Sequence, residues 1–523
     1  MAVFEVKNLT VSFQNGNEVN TVVNDLSFSV EKGEMLGLVG ESGSGKTMTA
    51  LCSAGLLFSS DAEIKGQILI DGKDVLSLTP KELAKIRGRG IAMIFQEPMT
   101  SLDPAKKIGW QIEETLMLHT ELSKPERRAS ALKAIEESGL AETERIYDSY
   151  PHQLSGGQRQ RVMIAAALIG EPKILLADEP TTALDVTVQK QILELLCRQC
   201  AAKGIAVLFI SHDLSLVRSL CSKMIVMQQG RAIEKGLSED IFRKPKMPYT
   251  KELISAVPRF ERKISSNNAD RTEKETVLSV KDLNAFYPKE NSRLFKKTGK
   301  TKVLSDISFY VKKGEIIGLA GESGSGKSTL ARCILGLHRD KTGEIIHSTK
   351  YPQMVFQDAG SSLNPSKTVE WILEEPLKNC TKLSPERRRE CVSEMLYLVH
   401  LPEELRNRYP HQLSGGQRQR VSIAAALMLE PKFLIADEPV SALDVTVQKQ
   451  ILLLMQEIAA ETGVSILLIS HDMRIVYQMC DRVFIMKDGR IVESGDPEVI
   501  YKAPKHPYTK ELLDSAGANI DVL

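Results

Sequence analysis

The sequence predicts an α/β protein made of two tandem copies of one domain, each with a mostly parallel sheet flanked by helices. Three observations support this fold class. A long segment of the chain is repeated, short apolar strand-like runs alternate with amphipathic helical runs, and in each copy a glycine-rich loop joins a strand to a helix. A length of 523 residues also suits several domains better than one core.

The repeat is a duplicated domain. The segment VNDLSFSVEKGEMLGLVGESGSGKT recurs as LSDISFYVKKGEIIGLAGESGSGKS, and YPHQLSGGQRQRV occurs from Tyr150 and again from Tyr409. The period is far too long for a solenoid. The second copy is shorter, because ILIDGKDVLSLTPKELAKIRGRGIAMIFQ in the first corresponds only to EIIHSTKYPQMVFQ in the second. We therefore expect a strand–turn–helix excursion to be missing from the second copy.

Composition places the domain boundaries. Residues 259–276 are polar, charged and nearly free of large apolar side chains, which is typical of a linker. We therefore predict a first domain with its tail at residues 1–258 and a second at residues 277–523. A basic insertion, KENSRLFKKTGKTK at residues 289–302, interrupts the second copy. It is either a solvated hairpin tip or a contact with a membrane surface or partner.

Charge and hydropathy exclude several classes of protein. The net charge of +1 creates no field that favours nucleic acid or anionic lipid. No apolar run approaches the length of a membrane span, and the first residues do not resemble a signal peptide. We therefore expect a cytosolic chain that reaches a membrane only through another subunit. The cysteines are scattered, and the closest pair, Cys197 and Cys200, fits a plain helix better than a metal site.

Each copy contains a phosphate-binding loop of the pattern G-x-x-x-x-G-K-[ST], between an apolar strand and a helix. Its backbone N–H groups and the following helix N-terminus attract phosphate oxygens. Lys46 and Lys327 are predicted to hold the β- and γ-phosphates, and Thr47 and Ser328 to ligate Mg²⁺. The two loops consist of Gly40, Glu41, Ser42, Gly43, Ser44, Gly45, Lys46 and Thr47, and of Gly321, Glu322, Ser323, Gly324, Ser325, Gly326, Lys327 and Ser328.

Acidic residues follow a buried strand in both copies. Asp178 and Asp437 end the strands and are predicted in the Mg²⁺ shell. The next residues, Glu179 and Glu438, are predicted to activate water for attack on the γ-phosphate.

A Ser-His-Asp tripeptide ends a later strand in each copy, and we predict that His212 and His471 contact the γ-phosphate. Three contiguous residues cannot form the triad of a serine hydrolase.

The motif Leu-Ser-Gly-Gly-Gln opens a helix in each copy and forms a second anion-binding helix end. One phosphate loop already serves each copy's own nucleotide, so this second site is predicted to contact the γ-phosphate of another domain's nucleotide. The residues are Ser155, Gly156, Gly157 and Gln158, and Ser414, Gly415, Gly416 and Gln417.

The order of these motifs, twice along nearly the whole chain, resembles an ABC ATPase cassette. The resemblance implies two tandem P-loop ABC ATPase domains, each a RecA-like αβ core with a helical subdomain and an antiparallel β part. It implies a head-to-tail dimer that clamps two ATP molecules. It also implies that Gln96 and Gln357 sense Mg²⁺ and the attacking water, and that Asp185 and Asp444 communicate across the interface.

Two aromatic residues, aligned through KNLTVSF and KDLNAFY, are candidates for stacking on adenine by the same resemblance. Phe13 and Tyr287 each lie near a strand end, where an aromatic side chain is often simply part of the core.

Fused cassettes, the glutamine loops FQEPMTSLDP and FQDAGSSLNP, and the tails KPKMPYTKELI and APKHPYTKELL resemble the ATPases of oligopeptide, dipeptide and nickel importers. The resemblance implies two transmembrane permeases, a substrate-binding protein, and a peripheral position on the cytoplasmic face of the inner membrane. Peptide leads as the substrate by family frequency, and glutathione, nickel and metal chelates stay open as alternatives, since the ATPase does not contact the cargo. The second glutamine loop departs from the first at Asp358 and Ala359, and the tails differ at Met247 and His506.

Two other classes of protein also carry ABC cassettes. A two-cassette translation factor has a longer charged helical linker, and a DNA-repair ATPase has cysteine clusters or long coiled coils; the sequence shows neither feature.

Amphipathic stretches between each glutamine loop and Tyr150 or Tyr409 predict helical subdomains that dock the permeases.

Overall fold

The structure is a computed structural model of the chain. It describes residues 2–16, 18–57, 61–96, 101–181, 186–258, 260, 275–288, 299–349, 351–441 and 443–516. The chain divides into two compact units. The first unit contains Met1–Leu184, Val188–Val257 and Asp444–Thr446, and the second contains Asp185–Thr187, Pro258–Leu443 and Val447–Leu523.

A six-stranded sheet forms the centre of each unit. Neighbouring strands are parallel except for the hairpin at one edge, and the inner strands are buried on both faces. This confirms the predicted fold class. In sheet order, the strands of the first unit are Arg231–Leu237, Lys223–Gln228, Met35–Val39, Ala206–Ser211, Ile174–Asp178 and Ile91–Ile94. Those of the second are Arg490–Gly495, Arg482–Lys487, Ile316–Ala320, Ser465–Ser470, Phe433–Asp437 and Gln353–Val355.

A second, antiparallel sheet lies in each unit. In sheet order, the strands of the first unit are Glu18–Glu31, Ala2–Asn15, Ala62–Ile70 and Lys73–Asp74. Those of the second unit are Lys300–Lys312, Thr276–Pro288 and Lys341–His347. Alternating apolar residues of these strands, such as Phe4, Val6 and Ile68, pack against one side of the central sheet.

The segment that connects the antiparallel sheet to the central sheet differs between the units. In the first unit it contains the strand Lys73–Asp74, the 3₁₀ helix Val75–Ser77 and the helix Pro80–Ile86. That helix begins at a capping box between Thr79 and Glu82. In the second unit the described residues between His347 and Gln353 contain no helix, which confirms the predicted loss of the excursion.

Helices follow each glutamine loop, as predicted. Some begin at hydroxyl caps such as Thr368 and Ser384, and the helices bury residues such as Ile112 and Leu373. In the first unit they are Ile108–His119, Lys124–Glu137, Thr143–Asp148 and Gly156–Leu168, with the 3₁₀ helix Pro151–Gln153. In the second they are Ala359–Ser362, Val369–Cys380, Pro385–Leu398 and Gly415–Leu427, with the 3₁₀ helices Glu403–Asn407 and Pro410–Gln412.

The remaining helices flank the central sheets or form the tails. They are Lys46–Ser53, Val186–Lys203, Leu214–Leu220, Ser238–Arg243 and Pro248–Ala256 in the first part of the chain, and Lys327–Ile334, Val445–Thr462, Met473–Met479, Pro497–Lys502 and Pro507–Ser515 in the second. Cys197 and Cys200 lie in a helix, as predicted. No helix in the described part of the chain is long and apolar enough to cross a bilayer. Most of the predicted linker and residues 289–298 of the basic insertion lie outside the described residues.

Candidate nucleotide site

The glycine-rich loop of each unit makes close backbone contacts that only glycine permits. Gly40 and Gly321 both have φ of 153°. A Cβ atom there would lie 2.3 Å from the carbonyl oxygen of Met227 and 2.2 Å from that of Met486, respectively. The loop therefore lies directly on the neighbouring strand of the central sheet. Its last glycine, Gly45, is left-handed and starts the helix that carries the lysine.

The lysine of each loop is buried and turned into the loop. Lys46 and Lys327 are each 6 % exposed. The Nζ atom of Lys46 donates to the carbonyl oxygens of the first two loop residues, at 2.7 Å each, and that of Lys327 does so at 2.6 and 2.8 Å. The pKa of Lys46 is lowered, because burial outweighs the opposite effect of the nearby carboxylates of Glu179 and Asp178. A buried cation within a loop of backbone N–H groups fits a phosphate group.

A hydroxyl and a carboxylate meet at the start of the helix after each loop. The Oγ1 atom of Thr47 donates to Asp178 at 3.3 Å, and the Oγ atom of Ser328 donates to Asp437 at 3.3 Å. Burial raises the pKa of Asp178 to about 6, and burial with the charge of Glu438 raises the pKa of Asp437. Hard oxygen ligands beside a phosphate loop fit Mg²⁺, whose charge would offset the cost of burying the carboxylate.

The glutamate after each aspartate accepts two side-chain contacts. In the first unit, Gln96 Nε2 donates to Glu179 Oε2 at 2.8 Å, and His212 Nδ1 lies 3.0 Å from Oε1. In the second unit the same distances are 2.8 Å for Gln357 and 3.2 Å for His471, both to Glu438. The sequence predicted a Mg²⁺-sensing glutamine and a phosphate-contacting histidine. In the structure both side chains contact the glutamate. Contact of the glutamines with Mg²⁺ and of the histidines with the γ-phosphate stays a prediction.

These contacts shift the charge of the cluster. Burial lowers the pKa of His212, but its hydrogen bond to Glu179 and the charge of that carboxylate outweigh burial, so the pKa is raised. Burial raises the pKa of Glu438, but the hydrogen bond and charge of His471 outweigh it, so the pKa is lowered. An ionised glutamate is the form that can accept a proton from water.

The backbone also fixes the glutamates. Glu179 and Glu438 adopt left-handed φ values of 45° and 46°. Their N–H groups donate to Ile210 and Ile469 on the adjacent strand, at 3.0 and 2.9 Å. A left-handed non-glycine residue costs on the order of 1 kcal/mol or more, so the surrounding fold holds this conformation in place.

The signature motif caps its own helix in both units. Ser155 and Gln158 form a capping box, with Gln158 N–H donating to the serine hydroxyl at 3.3 Å, and Ser414 and Gln417 repeat it at 3.3 Å. Both serines are exposed. A Cβ atom at Gly157 would lie 3.0 Å from Val188, so the backbone also packs closely there. The sequence prediction of Ser as the helix cap is confirmed.

The structure places the other predicted residues as follows. Phe13 is half-buried on a strand and packs against the core of the antiparallel sheet. The Tyr287 ring lies 4.7 Å from that of His338. Asp444 directly precedes the helix Val445–Thr462, and Asp185 lies outside the described residues. Stacking on adenine and communication through the aspartates stay predictions.

One contact escaped the sequence analysis. The tail tyrosines, Tyr249 and Tyr508, accept hydrogen bonds from the phosphate loops of their own units, at Glu41 and Glu322. The repeated PYTKEL motif was the signal available, but nothing local to it indicates a contact with a loop some 200 residues earlier; the two partners in the first unit are 208 residues apart.

Comparison with known proteins agrees with this geometry. The family described as ABC transporter matches residues 23–182 and 304–441, and the oligopeptide/dipeptide transporter C-terminal region matches residues 233–287 and 492–520. The peptidoglycan transport ATP-binding protein YejF of Agrobacterium fabrum is 41 % identical over 99 % of this chain and 97 % of its own length. The glutathione import ATP-binding protein GsiA of Escherichia coli K12 is 39 % identical over 98 % and 89 %.

A solved structure of an RNase-L inhibitor covers 97 % of this chain and 93 % of its own, with a TM-score of 0.60 and 21 % identity, which shows a shared fold. Fold, site and similarity thus define the class of protein: an ATPase with ABC-type cassettes. The chain belongs to the ABC transporter ATP-binding proteins of the oligopeptide/dipeptide type that carry two cassettes.

Proposed function

We propose that this chain is the energy-coupling ATPase of a bacterial importer for peptides. The observation that carries the proposal is the glutamate with its glutamine and histidine, beside a phosphate loop, complete in both units. Peptide is favoured because the relatives named above are assigned to peptidoglycan and glutathione transport. Glutathione, nickel and metal chelates are the alternatives for the cargo, which the ATPase does not touch.

The residues divide the chemistry among them. Lys46 and the loop N–H groups bind the β- and γ-phosphates, and Thr47 and Asp178 hold Mg²⁺. When bound, Mg²⁺ neutralises charge that develops on the phosphates. Glu179 takes a proton from the attacking water, and Gln96 and His212 orient the carboxylate through the contacts at its two oxygens. The equivalent residues of the second unit act in the same way.

We further propose that ATP closes the two cassettes head to tail on two composite sites, and that hydrolysis reopens them. The domain limits are those proposed from composition, 1–258 and 277–523 with a linker between them. One site pairs the first unit's loop, Gln96, Asp178, Glu179 and His212 with Ser414 and Gly416. The other pairs the second unit's loop, Gln357, Asp437, Glu438 and His471 with Ser155 and Gly157.

The partners follow from the same proposal. Two transmembrane permeases bind the helices that follow the glutamine loops, and a substrate-binding protein delivers the cargo to them. Exposed aromatic side chains on these helices, Trp110 and Trp371, at 40 % and 41 % exposure, support a protein contact there. The chain then lies at the cytoplasmic face of the inner membrane and binds no nucleic acid.

Reconstitution tests the proposal. The chain, its co-encoded permeases and the binding protein are placed in vesicles with internal ATP, and uptake of labelled dipeptide, glutathione and nickel is measured. We expect ATP-dependent peptide uptake that Lys46→Ala with Lys327→Ala abolishes, and cross-links from the permeases to the helices after the glutamine loops. Uptake of nickel and of neither peptide nor glutathione would show that the cargo is the metal. The lone chain remaining in carbonate-washed membranes, or cross-links mainly to the tails, would contradict the proposed assembly.

A second measurement distinguishes an importer ATPase from a translation factor. Ribosomes added to the purified chain would stimulate ATP hydrolysis if the chain acted in translation, whereas permeases and loaded binding protein stimulate it in an importer. Stimulation by ribosomes alone would overturn the proposed function.

A further inference from the structure

The C-terminal tail of each unit reaches back to the phosphate loop. Tyr249 is 8 % exposed, and its hydroxyl oxygen accepts a hydrogen bond from the backbone N–H of Glu41 at 3.1 Å. Tyr508 is 3 % exposed and accepts from the N–H of Glu322 at 2.8 Å. Glu41 and Glu322 are the second residues of their loops. The same contact therefore occurs twice in independent copies of the fold.

A carboxylate anchors each tail at the turn before its tyrosine, buried in the first unit and half-buried in the second. In the first unit, both oxygens of Glu234 accept from backbone N–H groups, of Lys246 at 2.9 Å and of Met247 at 3.2 Å. Burial raises the pKa of Glu234, but hydrogen bonds that include these two outweigh it, and the pKa is lowered. The carboxylate thus fixes the start of the helix Pro248–Ala256, on whose first turn Tyr249 lies.

The second unit repeats the anchor. Glu493 accepts from the N–H groups of Lys505 at 2.9 Å and His506 at 3.0 Å. Glu234 and Glu493 lie on the last strand of their sheets, next to the strand whose Met227 or Met486 carbonyl contacts the loop glycine. The loop is therefore held from two sides, by the strand end and by the tail.

Holding the loop matters because its shape is the binding site. The N–H groups of a phosphate loop bind phosphate well only when they point at one place. If the loop is mobile, ordering it on binding costs conformational entropy and weakens the affinity. The tyrosine hydroxyl accepts from one N–H at the loop's entrance and limits the conformations open to the residues after it. Burial raises the pKa of Tyr249 to about 12, so its hydroxyl is neutral at physiological pH.

We propose that Tyr249 and Tyr508 are positioning residues for nucleotide binding, each holding its own unit's phosphate loop in the shape that takes the triphosphate. The inference rests on the proposed role of the loops in binding ATP. It assigns to the tails a part in the ATP sites, separate from any contact with permease or cargo.

The test removes one oxygen atom at a time. Tyr249→Phe is made in the full chain carrying Lys327→Ala, so that only the first unit's loop keeps its lysine, and Tyr508→Phe is made in a chain carrying Lys46→Ala. Equilibrium binding of MgATP is measured with a fluorescent ATP analogue. We expect about threefold to tenfold weaker binding in each Phe variant, the fold-change that corresponds to one neutral hydrogen bond.

Two further readouts separate positioning from general stability. The melting temperature without nucleotide should stay close to that of the parent, while the rise in melting temperature on adding MgATP should shrink. In the assembled transporter carrying both Phe substitutions, KM for ATP should rise by a similar factor and kcat should change less than about twofold, since the loop shape serves ground and transition states alike.

Control variants distinguish a failure of the positioning role from a failure of the proposed role of the loops. Tyr397→Phe removes a hydroxyl from a side chain that is 85 % exposed on a helix of the second unit, and it should leave MgATP binding unchanged. Lys46→Ala with Lys327→Ala should abolish binding; if it does not, the proposed role of the loops is wrong. If that pair abolishes binding but the Phe variants match the parent, or lose affinity only in proportion to a lower melting temperature without nucleotide, the positioning role alone is overturned.

Discussion

The two units keep the same chemical groups in the same geometry but differ around them. The glutamine-to-glutamate distance is 2.8 Å in both, and both glutamates are left-handed within one degree of each other in φ. Outside the site, the first unit carries an extra strand, 3₁₀ helix and helix before its edge strand. The tails differ too, because His506 Nδ1 accepts from Tyr508 N–H at 3.2 Å, whereas Met247 makes no side-chain cap.

The difference shows which parts of the cassette the chemistry constrains. In the proposed function, phosphate, Mg²⁺ and water would constrain the positions of the loop, the strand-end carboxylates and their partners. The segment that connects the two sheets and the N-cap of the tail helix contact none of these groups, so their sequences are free to change. Equal sites in unequal surroundings predict that both units hydrolyse ATP, and the following changes test that symmetry.

The largest effect is expected at the glutamates. Glu179→Gln or Glu438→Gln removes the proton acceptor of its own site while leaving ATP bound, and general-base catalysis is worth roughly 10²–10⁴-fold. That is on the order of 3–5 kcal/mol of barrier. We expect either variant to stop nearly all turnover of the assembled transporter, since in the proposed head-to-tail dimer both cassettes clamp each ATP. Steady-state ATPase assays measure this.

A matched control uses a glutamate outside the site. Glu171→Gln and Glu430→Gln alter residues that are also left-handed, with φ of 48° and 47°, but that lie in the turns before the strands. These variants should keep the parental rate. Wild-type turnover in either Glu179→Gln or Glu438→Gln would show that one site is catalytically silent, and about half the rate in both would show independent sites.

Packing beneath the loops should be equally tight in both units. A Cβ atom at Gly37 would lie 2.2 Å from Val217 Cγ1, and one at Gly318 would lie 2.6 Å from Val476 Cγ1. Gly37→Ala and Gly318→Ala should each destabilise their unit by about 1–3 kcal/mol, which urea unfolding measures.

Paired controls for these alanines lie on the last strands of the sheets. Gly236→Ala and Gly495→Ala would place Cβ atoms 3.7 Å from an isoleucine, an ordinary contact. These variants should unfold at nearly the parental urea concentration. If Gly37→Ala were as stable as its control, the unit would be less closely packed than described.

The charge on His212 predicts a pH dependence. Its pKa in the folded protein is above the ordinary value because Glu179 outweighs burial. The stabilisation it contributes is therefore complete below the unfolded pKa, about 6.5, and is lost as pH rises through the higher folded pKa. His212→Gln should lower the urea midpoint more at pH 6 than at pH 9. An equal loss at both values would mean that the histidine stays neutral throughout.

The smallest effect is expected at the tail caps. Met247→His supplies the first tail with the cap that the second already has, and His506→Met removes it. Each change should alter the stability of its unit by about 0.5 kcal/mol, in opposite directions, because one hydrogen bond to a helix N–H is gained or lost. Melting curves of the two variants beside the parent measure this, and shifts of the same sign would exclude the cap as the cause.

Much of this could be predicted from sequence because it is local. The strands that end at Asp178 and Ser211 were evident from short apolar runs, the loops from their glycine spacing, and the Ser155 cap from its place before a helix. The contacts of Gln96 and His212 with Glu179 were not, since three separate strand ends meet only in the folded sheet. The Tyr249 contact escaped for the same reason, and the φ of Glu179 follows from packing rather than from residue type.

The short crossing between the strands Lys341–His347 and Gln353–Val355 marks a place to insert a reporter domain. The first unit accommodates a whole extra helix at the same point of the fold, so the scaffold accepts added chain there without disturbing the sheet. A fluorescent protein grafted at this turn would label one cassette of the pair and leave its twin unmarked. Energy transfer to a dye on the first cassette would then follow the proposed opening and closing in a single molecule.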